Sequence, residues 1–556
     1  MPSRLTWLGN SFLHRIETTG ELTDIADAIS AHQRAVQLTP DGHASMPGRL
    51  NNLGNFFLHR CRRTGDLADI NNAISAHQRA LQLTPDGHVD MPKWLSNLGH
   101  SLSKRFQLTG DLTNIADAIS AHQRAVELTP DGHVHMPDQL GSLGNSFFHR
   151  FEHTGNHANI VNAILAHQKA VQLTPNGHAD MPTRLSDLGA SFLRRFERTG
   201  DFADIVNAIS ADQRAVQLTP NGHADMASRL NNLGNSLSSR FVRTGDLTDI
   251  ADAISAKKRA VQLTPNDHAD MASLLNNLGN SLSRRFRLTG DLTDIADAIS
   301  TQKRAVQLIP NGHANMPRLL NNLGQFLCLR FKHTDDLTDI TNAILAHQRA
   351  VQLTPDAHIN MPVFLHNLGN SFLCRFKSTG DLSDIVAARS NFRQSATHQS
   401  GSPSTRLDAA QQWAQLSVSH NATDSLDAYH VVVDLLSHIA GMDRTIQQRY
   451  SSLVDISKLT GTAASAAFAQ GEVGKALEWL EQGRCLVWSQ LNQLRTPVDN
   501  LRTHNHLLAD RFLHVSQALE SSSSRQESIS LTLDGTMSQE VILEDEARTH
   551  AVLAQD

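Results

Sequence analysis

Three kinds of side chain recur in this 556-residue chain at a spacing that could do chemistry. Eight histidines stand 45 residues apart: His43, His88, His133, His178, His223, His268, His313 and His358. Imidazoles in series can bind metal or sense pH. Arginines keep the same interval, at Arg15, Arg60, Arg105, Arg150, Arg195, Arg240, Arg285, Arg330 and Arg375, and could hold acidic ligands. Asparagines cluster as Asn51, Asn52 and Asn55, again as Asn231, Asn232 and Asn235, as Asn276, Asn277 and Asn280, and as Asn321 and Asn322. An amide side chain carries donors and an acceptor, so a ladder of Asn can pair with the backbone of an extended peptide.

Each series has a structural alternative. Equivalent positions of stacked repeats sit on the order of 10 Å apart, whereas metal ligands lie about 2 Å from their ion. The histidines are therefore expected to structure loops. The arginines are expected to pair with aspartates near the start of the next helix. The asparagines either line a peptide groove or bond neighbouring repeats.

Other chemistry is sparse. Gly471-Glu472-Val473-Gly474-Lys475 hints at a phosphate loop, but Ala469 stands where that loop needs Gly, and Ala476 replaces its Ser/Thr. HExxH and Gly-x-Ser-x-Gly motifs are missing. Four cysteines, Cys61, Cys328, Cys374 and Cys485, include no CxxC pair and read as small buried residues in a reducing compartment. No catalytic residue, metal ligand or cofactor is expected.

The elements that carry these series are helices. Gly recurs every 45 residues at Gly9, Gly54, Gly99, Gly144, Gly189, Gly234, Gly279, Gly324 and Gly369. A fixed period of this size means a repeat array. Leu50, Leu53, Phe57 and Cys61 form one helical stripe and predict a first helix over about 47–62. Pro opens most of these helices and a Thr-Gly pair closes them, as at Thr109-Gly110. Asp111 is the expected N-cap of a second helix whose stripe is Leu112, Ile115, Ile119 and Val126, with the small Ala118 and Ala125 on the same side. That helix is expected to stop at Leu128-Thr129-Pro130. The repeats also match in His32-Gln33-Arg34 and His122-Gln123-Arg124, positions expected to be exposed, which points to recent duplication.

Leu5, Leu8 and Gly9, then Ala28 and Ala35, then Pro40 resemble the tetratricopeptide (TPR) pattern. A TPR unit has about 34 residues, so the resemblance implies an elongated variant, with Gly9 and Ala28 letting two helices approach closely. The expected fold is an all-α, TPR-like α-solenoid of about nine 45-residue helix pairs followed by an irregular helical domain. The boundaries read as an array over 1–395, a linker over 396–406, a helical domain over 407–520 and a polar, partly disordered tail over 521–556.

The later segment is similar to fungal TPR–CHAT proteins on Leu480-Glu481-Gln482-Gly483-Arg484, Trp488-Ser489-Gln490-Leu491 and Leu494-Arg495-Thr496-Pro497. Ala476–Arg484 and Leu486–Leu491 read as a degenerate helical pair. The resemblance implies a following CHAT domain, a caspase-like fold with a His/Cys dyad, and no residue of this sequence matches that dyad. Met1-Pro2-Ser3-Arg4-Leu5 is in phase with Met46-Pro47-Gly48-Arg49-Leu50. The expectation is a truncated gene or a paralogue without its effector domain.

The formal net charge of −6 gives no electrostatic case for nucleic acid or an anionic membrane. No apolar run approaches the roughly 20 residues of a membrane span, and no signal peptide is evident, so the cytosol is expected. The function expected is a non-enzymatic scaffold that binds peptide segments of partner proteins in its groove. The alternatives are the sensor half of a CHAT protease and a structural array that self-associates through its uncapped N-terminal repeat.

Overall fold

The computed structural model describes residues 1–19, 22–40, 42–310, 312–439 and 446–493, with Arg502, His506 and Asp510. Among the described residues there are 22 helices and no strand. Two units divide the chain, Met1–Ile309 and Pro310–Asp556. The first unit holds seven helix pairs, of which Met46–Thr64 with Leu67–Gln82, Met91–Thr109 with Leu112–Leu128, Met136–Thr154 with His157–Leu173, and Met226–Thr244 with Leu247–Leu263 are representative. The second unit opens with two such pairs, Met316–Thr334 with Leu337–Gln352 and Met361–Thr379 with Leu382–Thr397.

Local chemistry sets the boundaries. Pro92 occupies the first turn of Met91–Thr109, where its missing N–H costs nothing. Gly110 ends that helix in the left-handed region at φ 71° and donates its N–H to the Phe106 carbonyl at 2.7 Å. Asp111 then caps Leu112–Leu128 by accepting the Thr113 N–H at 3.0 Å. At the far end the Thr129 hydroxyl donates to the Ala125 carbonyl at 2.7 Å, one residue before Pro130.

The inter-repeat loop explains its histidine. The His133 N–H donates to the Pro130 carbonyl at 3.0 Å, closing a turn, and its Nδ1 accepts the His135 N–H at 3.2 Å. All eight loop histidines accept the amide two residues on in this way. Each imidazole thus satisfies an amide ahead of the next helix and structures its loop, as the repeat spacing required.

Leu50, Leu53, Phe57 and Cys61 are buried, as are Ile115, Ala118, Ile119 and Ala125. Each large aliphatic side chain buried in this way stabilises by about 1.5–3 kcal/mol. Leu112 departs from the expected stripe and is 46 % exposed. It follows directly on the cap Asp111, in the first turn of the helix. First helices of successive repeats within the first unit touch one another directly, as Met46–Thr64 touches Met91–Thr109, whereas second helices come less close. The first helices therefore share one crowded face.

The second unit continues with Pro403–Ser419, Ser425–Ile439, Ile446–Ala469 and Val473–Gln493. Ala476–Arg484 and Leu486–Leu491 belong to one helix, not two, and its packing partner is Ile446–Ala469. Gly483 makes that contact possible, because a Cβ there would lie 2.4 Å from Thr460 Oγ1. The Leu494–Pro497 motif and the expected tail over 521–556 lie outside the described residues. No helix among the described residues is long and apolar enough to cross a membrane.

Candidate functional site

The first-helix face carries the asparagines, and the structure divides them into two sets. Asn51, Asn276 and Asn321 are buried. The Asn51 Oδ1 accepts the Asn97 amide at 2.9 Å, across to the next repeat. Asn231 is bonded to Asn277 in the same way at 3.1 Å, and Asn321 to Asn367 at 2.9 Å. The Gln302 amide donates to Asn276 at 3.2 Å. Asn51, Asn231 and Asn321 thus tie repeat to repeat, while Asn276 bonds within its own repeat. Asn52, Asn55, Asn232, Asn235, Asn277, Asn280 and Asn322 are half-buried and keep part of their surface on the shared face.

Among the described residues, eight of the nine arginines in the series are bonded within their own repeats, the exception being Arg150, which has Asn159 where most others have Asp. Arg240 grips Asp249 through two parallel hydrogen bonds at 2.8 and 2.5 Å, and Arg60, Arg195, Arg285, Arg330 and Arg375 do the same to Asp69, Asp204, Asp294, Asp339 and Asp384. Arg15 pairs with Asp24, and Arg105 donates to Asn114 at 2.6 Å. The aspartates are buried in the first turn of the second helix, and their hydrogen bonds raise the arginine pKa values. This fork ties the two helices of a repeat together.

A buried polar column was not legible in the sequence. His32 and His122, expected on the surface, are buried, while Gln33, Arg34, Gln123 and Arg124 are exposed as expected. The same column holds His77, His167, Asp212, Lys257 and Gln302 in the first unit and His347 in the second. The ladder glycine makes the room: a Cβ at Gly54 would sit 2.4 Å from His77 Nε2. The residue 24 positions further on supplies the partner. His77 meets Ser101 at 3.1 Å, His122 meets Ser146 at 2.9 Å, and His167 meets Ser191 at 3.0 Å. Ser236 donates to Asp212 at 2.7 Å, and Lys257 donates to Ser281 at 2.8 Å. Where Phe56 replaces that Ser, His32 stacks on its ring at 4.7 Å. The co-occurrence of Gly, a polar residue and Ser at fixed offsets was the available signal.

Burial sets the charge state of this column. It lowers the pKa of His77, His167 and His347 to about 4 and of His122 to about 3, so these imidazoles are neutral at pH 7. It raises Asp212 to about 7 and lowers Lys257 to about 7. The described residues contain no group of three or more His, Cys, Asp or Glu placed to hold a metal ion. Cys61 is buried and Cys328 and Cys374 are half-buried, but Cys485, expected to be buried, is exposed.

Residues 271–313 match the family model for the tetratricopeptide repeat. No curated protein matches the chain. Solved structures similar to it include the human IFIT1 dimer with m7Gppp-AAAA, at 13 % identity over 84 % of this chain and 95 % of that one, with a TM-score of 0.41. The C-terminal part of a TPR repeat-containing protein from Cytophaga hutchinsonii is 14 % identical over 58 % and 99 %, with a TM-score of 0.35. Nearly identical TPR-like repeats from Podospora anserina are 12 % identical over 39 % and 99 %, with a TM-score of 0.29. The chain is an all-α array of TPR-like helix pairs. Such arrays generally mediate contacts between proteins and are generally non-catalytic.

Proposed function

We propose that this chain is a non-enzymatic scaffold whose first-helix face binds an extended peptide segment of a partner protein. The observation that carries this reading is the set of half-buried amides on that face, Asn52, Asn55, Asn232, Asn235, Asn277 and Asn280 in the first unit, with Asn322 beginning a similar set in the second. Asn52, Asn232, Asn235 and Asn280 make no side-chain hydrogen bond among the described residues and can offer donor and acceptor to a peptide backbone, while Asn55 is bonded to His77 at 3.2 Å and Asn277 to Asn231 at 3.1 Å. The Asn51–Asn97, Asn231–Asn277 and Asn321–Asn367 bonds keep neighbouring repeats in register, so the outer amides are held at fixed spacing. We keep the array over 1–395 and the helical domain over 407–520 as functional divisions, and place the protein in the cytosol on its scattered cysteines. The test is peptide-library display against the full chain and against a variant with Asn232→Ala and Asn280→Ala. The bound set should shrink or change in the variant; an unchanged set defeats the groove reading.

A second reading, self-association, has its own observation. Trp7 is 78 % exposed and Leu8 is 49 % exposed, whereas Leu53, which matches Leu8 one repeat later, is 7 % exposed. A Leu8→Glu variant that sediments as the wild type does at every concentration argues against self-association.

A further inference from the structure

The shared first-helix face of the first unit is laced by rungs that join residues 42 apart in adjacent repeats. His100 meets Ser142 at 3.0 Å, and Asn145 donates to Asp187 at 3.4 Å. Nearer the helix C-termini, Gln107 meets His149 at 3.1 Å, and Arg194 pairs with Glu152 at 2.9 Å. Arg194 also pairs with Glu197 at 2.6 Å. The rung before these has the same interval and is built from two cations, Arg62 and Lys104. Neither forms a hydrogen bond or ion pair among the described residues. They occupy the positions equivalent to Gln107–His149 and Glu152–Arg194 one and two repeats on, and that register sets them opposite one another. His100, next to Arg62, adds no charge at pH 7, because burial lowers its pKa to about 4.

Like charges facing each other in a register that elsewhere carries a partner pair are destabilising unless an anion joins them. We infer that Arg62 and Lys104 form an anion-accepting rung that takes the carboxylate side chains of an acidic peptide segment lying along the first-helix face. This rests on the groove reading and names the chemistry of its ligand. A localised acidic segment fits better than a nucleic acid strand. Glu152 and Glu197 stand further along the same face, and a continuous phosphate backbone would run across them. The structural alternative is that Arg62 only complements the negative end of its helix and Lys104 is a solvated side chain.

Fluorescence anisotropy of the full chain with fluorescein-labelled hexaglutamate distinguishes these. Hexaglutamate should bind, and raising salt to about 0.3 M should weaken it, while hexaglutamine should not bind. The variant Arg62→Glu closes the rung as a Glu–Lys pair, matching Glu152–Arg194. It should lower hexaglutamate affinity by about tenfold or more and leave the thermal melt unchanged or higher. Absence of hexaglutamate binding to the wild type, or equal binding to Arg62→Glu, overturns the assignment. Tighter binding of a single-stranded oligonucleotide of equal charge overturns the ligand class. Loss of hexaglutamate binding in Arg62→Glu, together with a peptide-display set left unchanged by Asn232→Ala with Asn280→Ala, leaves the rung standing and the amide groove rejected.

Discussion

Replacing Asp212 by His should stabilise the array at alkaline pH and destabilise it at acidic pH. Asp212 is 1 % exposed, faces Gly189, and has one carboxylate oxygen bonded by Ser236 while Oδ1 has no partner among the described residues. Burial raises its pKa from 3.8 to about 7. Its folded pKa lies above its unfolded one, so folding takes up a proton here. The site is free of penalty below about pH 4 and carries the full cost above pH 7. At 1.36 kcal/mol per unit, that cost is about 4 kcal/mol. A His at 212 would meet the same Gly and Ser neighbours as His122, and would be neutral above its unfolded pKa of about 6.5. With a folded value near 4, as for His77, it costs about 3 kcal/mol only under acid. The two profiles cross at about pH 5. In a repeat array such a cost localises to the affected interface. The assay is hydrogen exchange of peptides spanning 202–244, with thermal melts at about pH 8 and pH 4. Equal stability at pH 8, or a shift of the same sign at both pH values, refutes the account.

Four further outcomes follow from the same contacts. Lys257→Gln, which imitates Gln302 one repeat later, should raise Tm at pH 7; Lys257 has its pKa lowered to about 7, so its penalty grows as pH falls from the unfolded value, and the gain should fade toward pH 10. Gly54→Ala should destabilise by about 1–3 kcal/mol in chemical denaturation, because its methyl meets the His77 ring. Arg240→Ala should destabilise by about 3 kcal/mol, since it leaves the Asp249 carboxylate buried without its partner; a loss under about 1 kcal/mol would assign the fork no structural weight. Zinc added to the folded protein should leave its melting temperature unchanged, as the loop histidines already use Nδ1 to accept backbone amides.

Much of the fold follows from single residues. Pro92, Gly110, Asp111 and Pro130 act on the backbone within four or five residues of themselves, so their positions bracket the helices directly. The Arg–Asp fork was also anticipated, because nine residues across a tight turn bring Arg240 and Asp249 to the same junction. The site was less legible. Asn51 and Asn52 are adjacent in the chain and identical in type, yet Asn51 is buried and bonds across to Asn97, while Asn52 keeps part of its surface. A difference of 100° around a helix decides that, and only the neighbouring repeat defines which direction is inside.

The histidines carry the same lesson. The 45-residue period by itself determined a helix-pair array, its caps and its loop histidines, since those depend on local geometry and on the distance between repeats. Whether His32 and His122 were exposed or buried depended on what stood opposite them. The ladder glycine, in the first helix of the same repeat, leaves a hole that their rings fill. Burial, the charge state of Asp212 and Lys257, and the open Arg62–Lys104 rung all arise between helices that are distant in sequence, and so tertiary packing alone decided them.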